Sequence, residues 1–214
     1  MAQQIWTQGF GGSLVILLTG SWETEFAGEV FQTAAASLPG ISFALAAYET
    51  PDWDGDFSPW AYRMENGRSF AGHGRATLAR LQSCFSETAG KYGHVYLAGY
   101  SLAGLFALWA VHETDFFDGC VCSSGSLWFA GWEEYTQTHS LKKPGQIYLS
   151  LGGKEEKAKD SVLATIGEKT RKEEKRLSAD PMVQRHTLVM NPGGHFASPE
   201  KRLAQGMVWL LGKE

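Results

Sequence analysis

Val95-Tyr96-Leu97-Ala98-Gly99-Tyr100-Ser101-Leu102-Ala103-Gly104-Leu105-Phe106-Ala107-Leu108-Trp109 decides how this chain folds. Residues 95–98 form a short apolar run that reads as a buried strand, whereas residues 102–112 are apolar on every side and long enough for about three helical turns. Between them Gly99-Tyr100-Ser101 leaves no room for an ordinary loop, so the strand must turn directly into the helix. Such a turn forces the residue at its apex into a strained backbone conformation and needs small residues two places before and two after it. Gly99 and Ala103 meet that need, and Ser101 is expected at the apex with its hydroxyl exposed. The start of the following helix offers unsatisfied N–H groups and a positive dipole end, which makes the Leu102 N–H the natural donor to an oxyanion formed beside Ser101.

Outward from this turn, strand and helix patterns alternate. Residues 14–19, 41–48, 120–123, 146–151 and 184–190 read as further strands. Helices are expected over about 25–38, 74–89, 160–178 and 199–211. Strands alternating with helices call for an α/β fold, a mostly parallel central sheet with helices on both faces, and ligands in such sheets sit at the carboxyl ends of the strands. No repeat, low-complexity tract or Pro/Ser-rich linker marks a boundary, so residues 1–214 read as a single domain. The polar, aromatic stretch 49–71 is a candidate wall of the site.

An apex serine after a central strand predicts two partners later in the chain, an acid and then a histidine. Asn191-Pro192-Gly193-Gly194-His195-Phe196 supplies the histidine on a glycine-bearing loop just past the last strand, so His195 is the candidate general base. His112 and His186 fall inside a helix and a strand, and His73, His94 and His139 near element ends, where structural or surface roles are the ordinary reading. The acid belongs after strand 146–151, where Gly152-Gly153-Lys154-Glu155-Glu156 offers Glu155 as the better reach, with Glu156 and Asp160 as substitutes.

Composition excludes several functions. A net charge of −4 disfavours nucleic acid, and no apolar run approaches the length that crosses a bilayer. The first positive charge is Arg63, so no export leader is expected. Cys84, Cys120 and Cys122 cannot all pair, which fits a reducing cytoplasm. Cys120 and Cys122 lack the further ligands of a zinc site and read as small apolar groups of a strand. Asp52-x-Asp54-x-Asp56 resembles the start of a calcium loop, but Phe57 and Arg63 stand where the EF-hand needs glycine and glutamate. Neither a metal nor a cofactor is expected. The mixed-sign run 172–176 reads as a solvated helix face, and the acid-rich, aromatic N-terminal third offers a surface for a homo-oligomer.

Gly99-Tyr100-Ser101-Leu102-Ala103-Gly104-Leu105-Phe106, followed by Phe116-Phe117-Asp118-Gly119 and Ser123-Ser124-Gly125-Ser126-Leu127-Trp128, resembles the esterase D-like esterase family, which includes enterobactin-type siderophore esterases. The likeness is densest over residues 95–130 and extends weakly through the Gly152-x-x-Glu155 turn and the Gly194-His195 loop. Asp56-Phe57-Ser58-Pro59-Trp60 also looks like the loop these esterases place beside the active site. The resemblance implies an α/β-hydrolase fold and ester hydrolysis. It puts Trp60 and Trp128 near the pocket and a second oxyanion donor after strand 14–19, at Ser21 or else Trp22. The family usually has glycine where this chain has Ala103, and many siderophore esterases carry extensions absent here, so their substrate does not transfer. The expected activity is that of a serine carboxylic-ester hydrolase acting on a small ester through an acyl-enzyme. The rivals are a non-catalytic binding or scaffold protein of the same fold and an acyltransferase with the same residues.

Overall fold

The computed structural model describes residues 4–21 and 25–212. Nine strands are found among them: β1 (Ile5–Gln8), β2 (Ser13–Gly20), β3 (Phe43–Thr50), β4 (Ala61–Arg63), β5 (Ser69–Ala71), β6 (His94–Tyr100), β7 (Gly119–Ser123), β8 (Gly145–Gly152) and β9 (Val183–Asn191). The helices are α1 (Phe26–Ser37), α2 (Trp53–Asp56), α3 (Gly74–Ala89), α4 (Leu102–Glu113), α5 (Trp132–Thr136), α6 (Ile166–Ala179) and α7 (Pro199–Leu211). Seven strands form one sheet in the order β1-β3-β2-β6-β7-β8-β9, parallel throughout except for β1, which runs antiparallel to β3 at the edge.

Side-chain alternation divides the core into two layers. Leu14, Ile16 and Leu18 of β2, Leu97 of β6 and Cys120 and Cys122 of β7 face a layer that includes Leu78, Leu81 and Phe85 of α3, the whole apolar surface of α4 and Leu177 of α6. Val15, Leu17, Tyr96, Ala98, Tyr100, Val121 and Tyr148 face the other layer, which holds Ala27, Val30 and Ala34 of α1 with Leu203, Met207 and Leu210 of α7. This two-residue period is what a sheet covered on both faces requires. Gly206 of α7 has no room for a side chain, since a Cβ there would lie 2.5 Å from Val121 Cγ1, and α7 therefore presses directly onto β7 and β8.

The chain leaves β2 for β3 on one side and returns to β6 on the other. The resulting switch point opens a crevice at the carboxyl ends of β2 and β6, where Ser101 stands. The stretch 49–71, expected as loop, contains the short α2 and the β4-β5 hairpin, while the helix expected to begin near residue 160 starts at Ile166 after two 3-10 turns. In the loop, Asp52 caps Gly55, Asp54 pairs with Arg68, and Asp56 accepts from Thr50, Thr77 and Arg80. These carboxylates hold the wall together.

Cys120 and Cys122 are buried and free, and His112 is a fully buried polar group between α4 and α6. Its Nδ1 lies 2.8 Å from the Leu108 carbonyl and its Nε2 accepts from Arg176 at 3.0 Å, a pairing that only the neutral ring can make. Burial depresses its pKa, the Leu108 carbonyl opposes that, and the Arg176 charge adds to the fall, leaving it at about 4. An unfolded histidine takes its proton near pH 6.5. The contribution to stability is therefore whole above that pH and is lost as pH falls towards 4. Denaturant melts at pH 7 and pH 4.5 should show an acid loss about 2–3 kcal/mol larger in the wild type than in His112→Gln. Equal losses in the two proteins would contradict this account of His112.

Candidate active site

Ser101 lies at φ 57° and ψ −122°, a conformation that side-chain-bearing residues rarely adopt. Its surroundings impose it. The Ser101 N–H donates to the Ser123 carbonyl at the end of β7, and its own carbonyl accepts from the Ser126 N–H, both at 3.0 Å. Gly99 is required where it stands, because a Cβ there would lie 2.2 Å from the Ala103 carbonyl oxygen. Strand and helix thus cross at backbone contact, as the small residues at both positions suggested. Ala103 is fully buried in this crossing.

Past the last strand, His195 is carried on the loop between β9 and α7. Its Nδ1 lies 2.7 Å from Glu155 Oε2, and its Nε2 lies 3.0 Å from Ser101 Oγ. A carboxylate can only accept, so Nδ1 carries the hydrogen and Nε2 is left as the acceptor for the serine hydroxyl. Three side chains from the ends of β6, β8 and β9 therefore form one continuous line of hydrogen bonds.

Glu155 heads a 3-10 turn (Glu155–Lys157) directly after β8. It points inward, whereas Glu156 pairs with Arg171 and Asp160 caps the N–H groups of Val162 and Leu163. The geometry brings only Glu155 of the three to His195. Its other oxygen, Oε1, accepts from Ser124 Oγ at 2.7 Å, Gly152 N–H at 2.7 Å and Arg202 Nη1 at 3.1 Å. Burial pushes the carboxyl up, but the bonds from His195, Ser124 and Gly152 outweigh it and hold the group below the usual carboxylate range. The turn and the histidine loop are tied by backbone as well, Gly153 N–H to Asn191 and Lys154 N–H to Gly193.

At the start of α4, the Leu102 N–H has no acceptor within the helix and stands next to Ser101. Ser21 departs from the reading. Its N–H donates to the Thr50 carbonyl at 2.9 Å, continuing the β2-β3 ladder, and is therefore not free to serve as the second donor. The alternative, Trp22, lies outside the described residues. Trp128 lines the cleft beside Ser101, while Trp60 donates to the Ala130 carbonyl, meets Phe129 edge-on and packs at a tilt against Tyr135.

Three residues of the arrangement were not anticipated: Tyr100, Ser124 and Arg202. Tyr100 was legible as the residue before the apex serine, but not as a hydrogen-bonding one. Arg202 had a signal, since it shares the helical stripe of Leu203, Gly206 and Leu210 on α7, where a cation must be buried with a partner.

The cleft above Ser101 has a volume of about 610 Å³. Leu18, Trp53, Phe70, Trp128 and Ile166 furnish apolar walls, and Phe196, 89% exposed, stands at its edge. Arg68, Lys154 and Lys157 also border it, and among the described residues that line it Glu155 is the one acid.

No family model matches the sequence, and no curated protein does. Solved structures do resemble it. The siderophore hydrolase EstA from Aspergillus nidulans superposes with a TM-score of 0.75 at 16% identity, over 97% of this chain and 93% of that one. An IroE-like serine hydrolase from Shewanella oneidensis gives 0.80 at 16% identity, over 98% and 75%. An S-formylglutathione hydrolase from Agrobacterium tumefaciens gives 0.60 at 12% identity, over 98% and 95%. The chain has the α/β-hydrolase fold.

The close crossing at Gly99 sets a test of the turn. Gly99→Ala should cost about 3–4 kcal/mol in urea unfolding, whereas Ala103→Gly should cost no more than about 1 kcal/mol. A Gly99→Ala protein as stable as the wild type would show that the crossing is looser than described.

Proposed function

We propose that this chain is a serine carboxylic-ester hydrolase. The observation that carries the reading is the unbroken line from Ser101 Oγ through the His195 ring to Glu155 Oε2, with both contacts within hydrogen-bond distance. Ser101 Oγ attacks the ester carbonyl carbon as its proton passes to His195 Nε2. The imidazolium is stabilised by Glu155, which stays ionised. Collapse of the tetrahedral intermediate breaks the bond to the alcohol, which leaves with the proton from Nε2, and an acyl-Ser101 remains. Water then gives its proton to Nε2 and attacks the acyl carbon, the bond to Ser101 Oγ breaks as Nε2 returns that proton to it, and the acid is released with the serine restored. The Leu102 N–H, at the positive end of α4, stabilises the oxyanion in both halves, an effect typically worth about 3–4 kcal/mol per donor. A scaffold protein of this fold gains nothing from a strained apex serine aligned with an imidazole, which favours the catalytic reading.

The cleft also bears on the substrate. In a protein of net charge −4, Lys154 and Lys157 stand at its border without an ion-pair partner among the described residues, while Arg68 is paired with Asp54. Apolar walls with a cationic edge suit a small ester that carries a negative group. A siderophore ester belongs in any substrate panel, since EstA is named for that class.

Ser101→Ala should fold normally and lose turnover of 4-nitrophenyl butyrate by at least about 10⁴-fold, and a fluorophosphonate should label the wild type but not the variant. Retained turnover would remove Ser101 from the chemistry. The wild type should prefer the mono-4-nitrophenyl ester of glutaric acid over the neutral butyrate, and Lys154→Gln with Lys157→Gln should reduce that preference about fivefold to tenfold at low salt. An unchanged ratio in the double variant would dismiss the cationic edge as a specificity element.

A further inference from the structure

Arg202 is 3% exposed, and each of its hydrogen bonds ends on a group that belongs to the site just described. Nη1 donates to Glu155 Oε1 at 3.1 Å, Ser124 Oγ at 2.9 Å and Tyr100 OH at 3.0 Å. Nη2 donates to the Pro192 carbonyl at 3.1 Å and the Gly194 carbonyl at 3.0 Å. The Tyr100 hydroxyl, while accepting from Arg202, donates onward to the His195 carbonyl. One guanidinium thus grips the carboxylate from one side and the backbone on both sides of the Gly193 turn from the other.

We propose that Arg202 is a positioning residue for the reaction: by holding Glu155 and the His195 loop to a single rigid fork, it keeps the imidazole in line with Ser101 Oγ. This rests on the reading of Ser101, His195 and Glu155 as the reacting groups. Arg202 does not itself reach the substrate, since it is not among the residues lining the cleft.

Two features of the fold accommodate this cation. Gly152, which ends β8, has its Cβ position 2.7 Å from the Gly193 carbonyl oxygen and 2.8 Å from both Arg202 Nη2 and Glu155 Oε1, so the histidine loop and the ion pair together fill the space a side chain would need. One turn along α7, Gly206 lets the helix press onto Val121 and Tyr148, and that close approach brings Arg202 to Tyr100, which faces the same layer. The backbone turn gains as well. Gly193 adopts φ 89°, and the carbonyls on either side of it converge on Nη2. Lysine could replace the charge but not the fork, because a single ammonium cannot reach acceptors on both sides of the site in one plane.

Saturating Oε1 has a directional effect on the chemistry. With three donors on Oε1, only Oε2 remains for His195 Nδ1, and the carboxylate cannot rotate to exchange its oxygens without breaking those bonds. The ring therefore keeps one tautomer and one orientation, which is what proton transfer from Ser101 needs.

The test uses the whole protein with two variants and two readouts. Arg202→Lys keeps the buried charge, and Tyr100→Phe removes only the hydroxyl that links Arg202 to the His195 carbonyl. With 4-nitrophenyl butyrate, Arg202→Lys should lower kcat about 100-fold and Tyr100→Phe about fivefold to tenfold, each with KM within about threefold of wild type. The second readout needs no turnover: the downfield proton resonance of the His195 Nδ1–H···Glu155 bond should be present in the wild type and broadened or lost in folded Arg202→Lys. A kcat within twofold of wild type in both variants, or a retained resonance in Arg202→Lys, would overturn the proposal. Should Arg202→Lys fail to fold, Tyr100→Phe decides alone, an unchanged kcat counting against it. A wild type with the resonance but no ester turnover would refute the hydrolase reading and leave the positioning role standing.

Discussion

The 3.0 Å contact between Ser101 Oγ and His195 Nε2 is the interaction on which the rest of this structure depends. A serine hydroxyl is a weak nucleophile until a base can take its proton, and the two groups here are separated by 94 residues of chain. What brings them together is the parallel sheet, which delivers the ends of β6, β8 and β9 to one edge. Parallel strands need helical crossovers, and those crossovers supply the two apolar layers that bury the sheet. The site is therefore a product of the whole core, not of any one loop.

Some of this could be read in the residues because it is local. The elbow is one such feature, since the need for Gly99 and Ala103 follows from a strand meeting a helix at backbone contact. His195 is another, being the histidine that follows the last strand on a loop with glycines. The acid was harder. Glu155, Glu156 and Asp160 differ only in which way a short 3-10 turn points them, and that depends on Ser124, Gly152 and Arg202, none of them close by in sequence except Gly152. Ser21 misled because the length of the β2-β3 ladder is a pairing between distant segments, and the ladder's continuation to Thr50 takes up its N–H. β1, four residues that alternate exposed with half-buried, gave too short a pattern to identify.

The arrangement carries costs that the core must offset. Ser101 and Ser124 both hold positive φ without being glycine, each costing on the order of 1–3 kcal/mol. A buried carboxylate and a buried guanidinium must each give up water, and such a pair commonly does little for net stability. Its value lies in geometry. Glu155 can stay ionised beneath the imidazole only because its own burial is compensated by named donors, so the polar cluster specifies one arrangement where an apolar core would allow several.

A covalent intermediate on Ser101 is the most direct test of this account. Wild-type protein mixed rapidly with excess 4-nitrophenyl acetate and quenched in acid should release a burst of nitrophenol and carry one acetyl group, mapped by mass spectrometry to Ser101. His195→Gln should show neither. Steady hydrolysis with no acyl group on Ser101, or with the group on another residue, would contradict it.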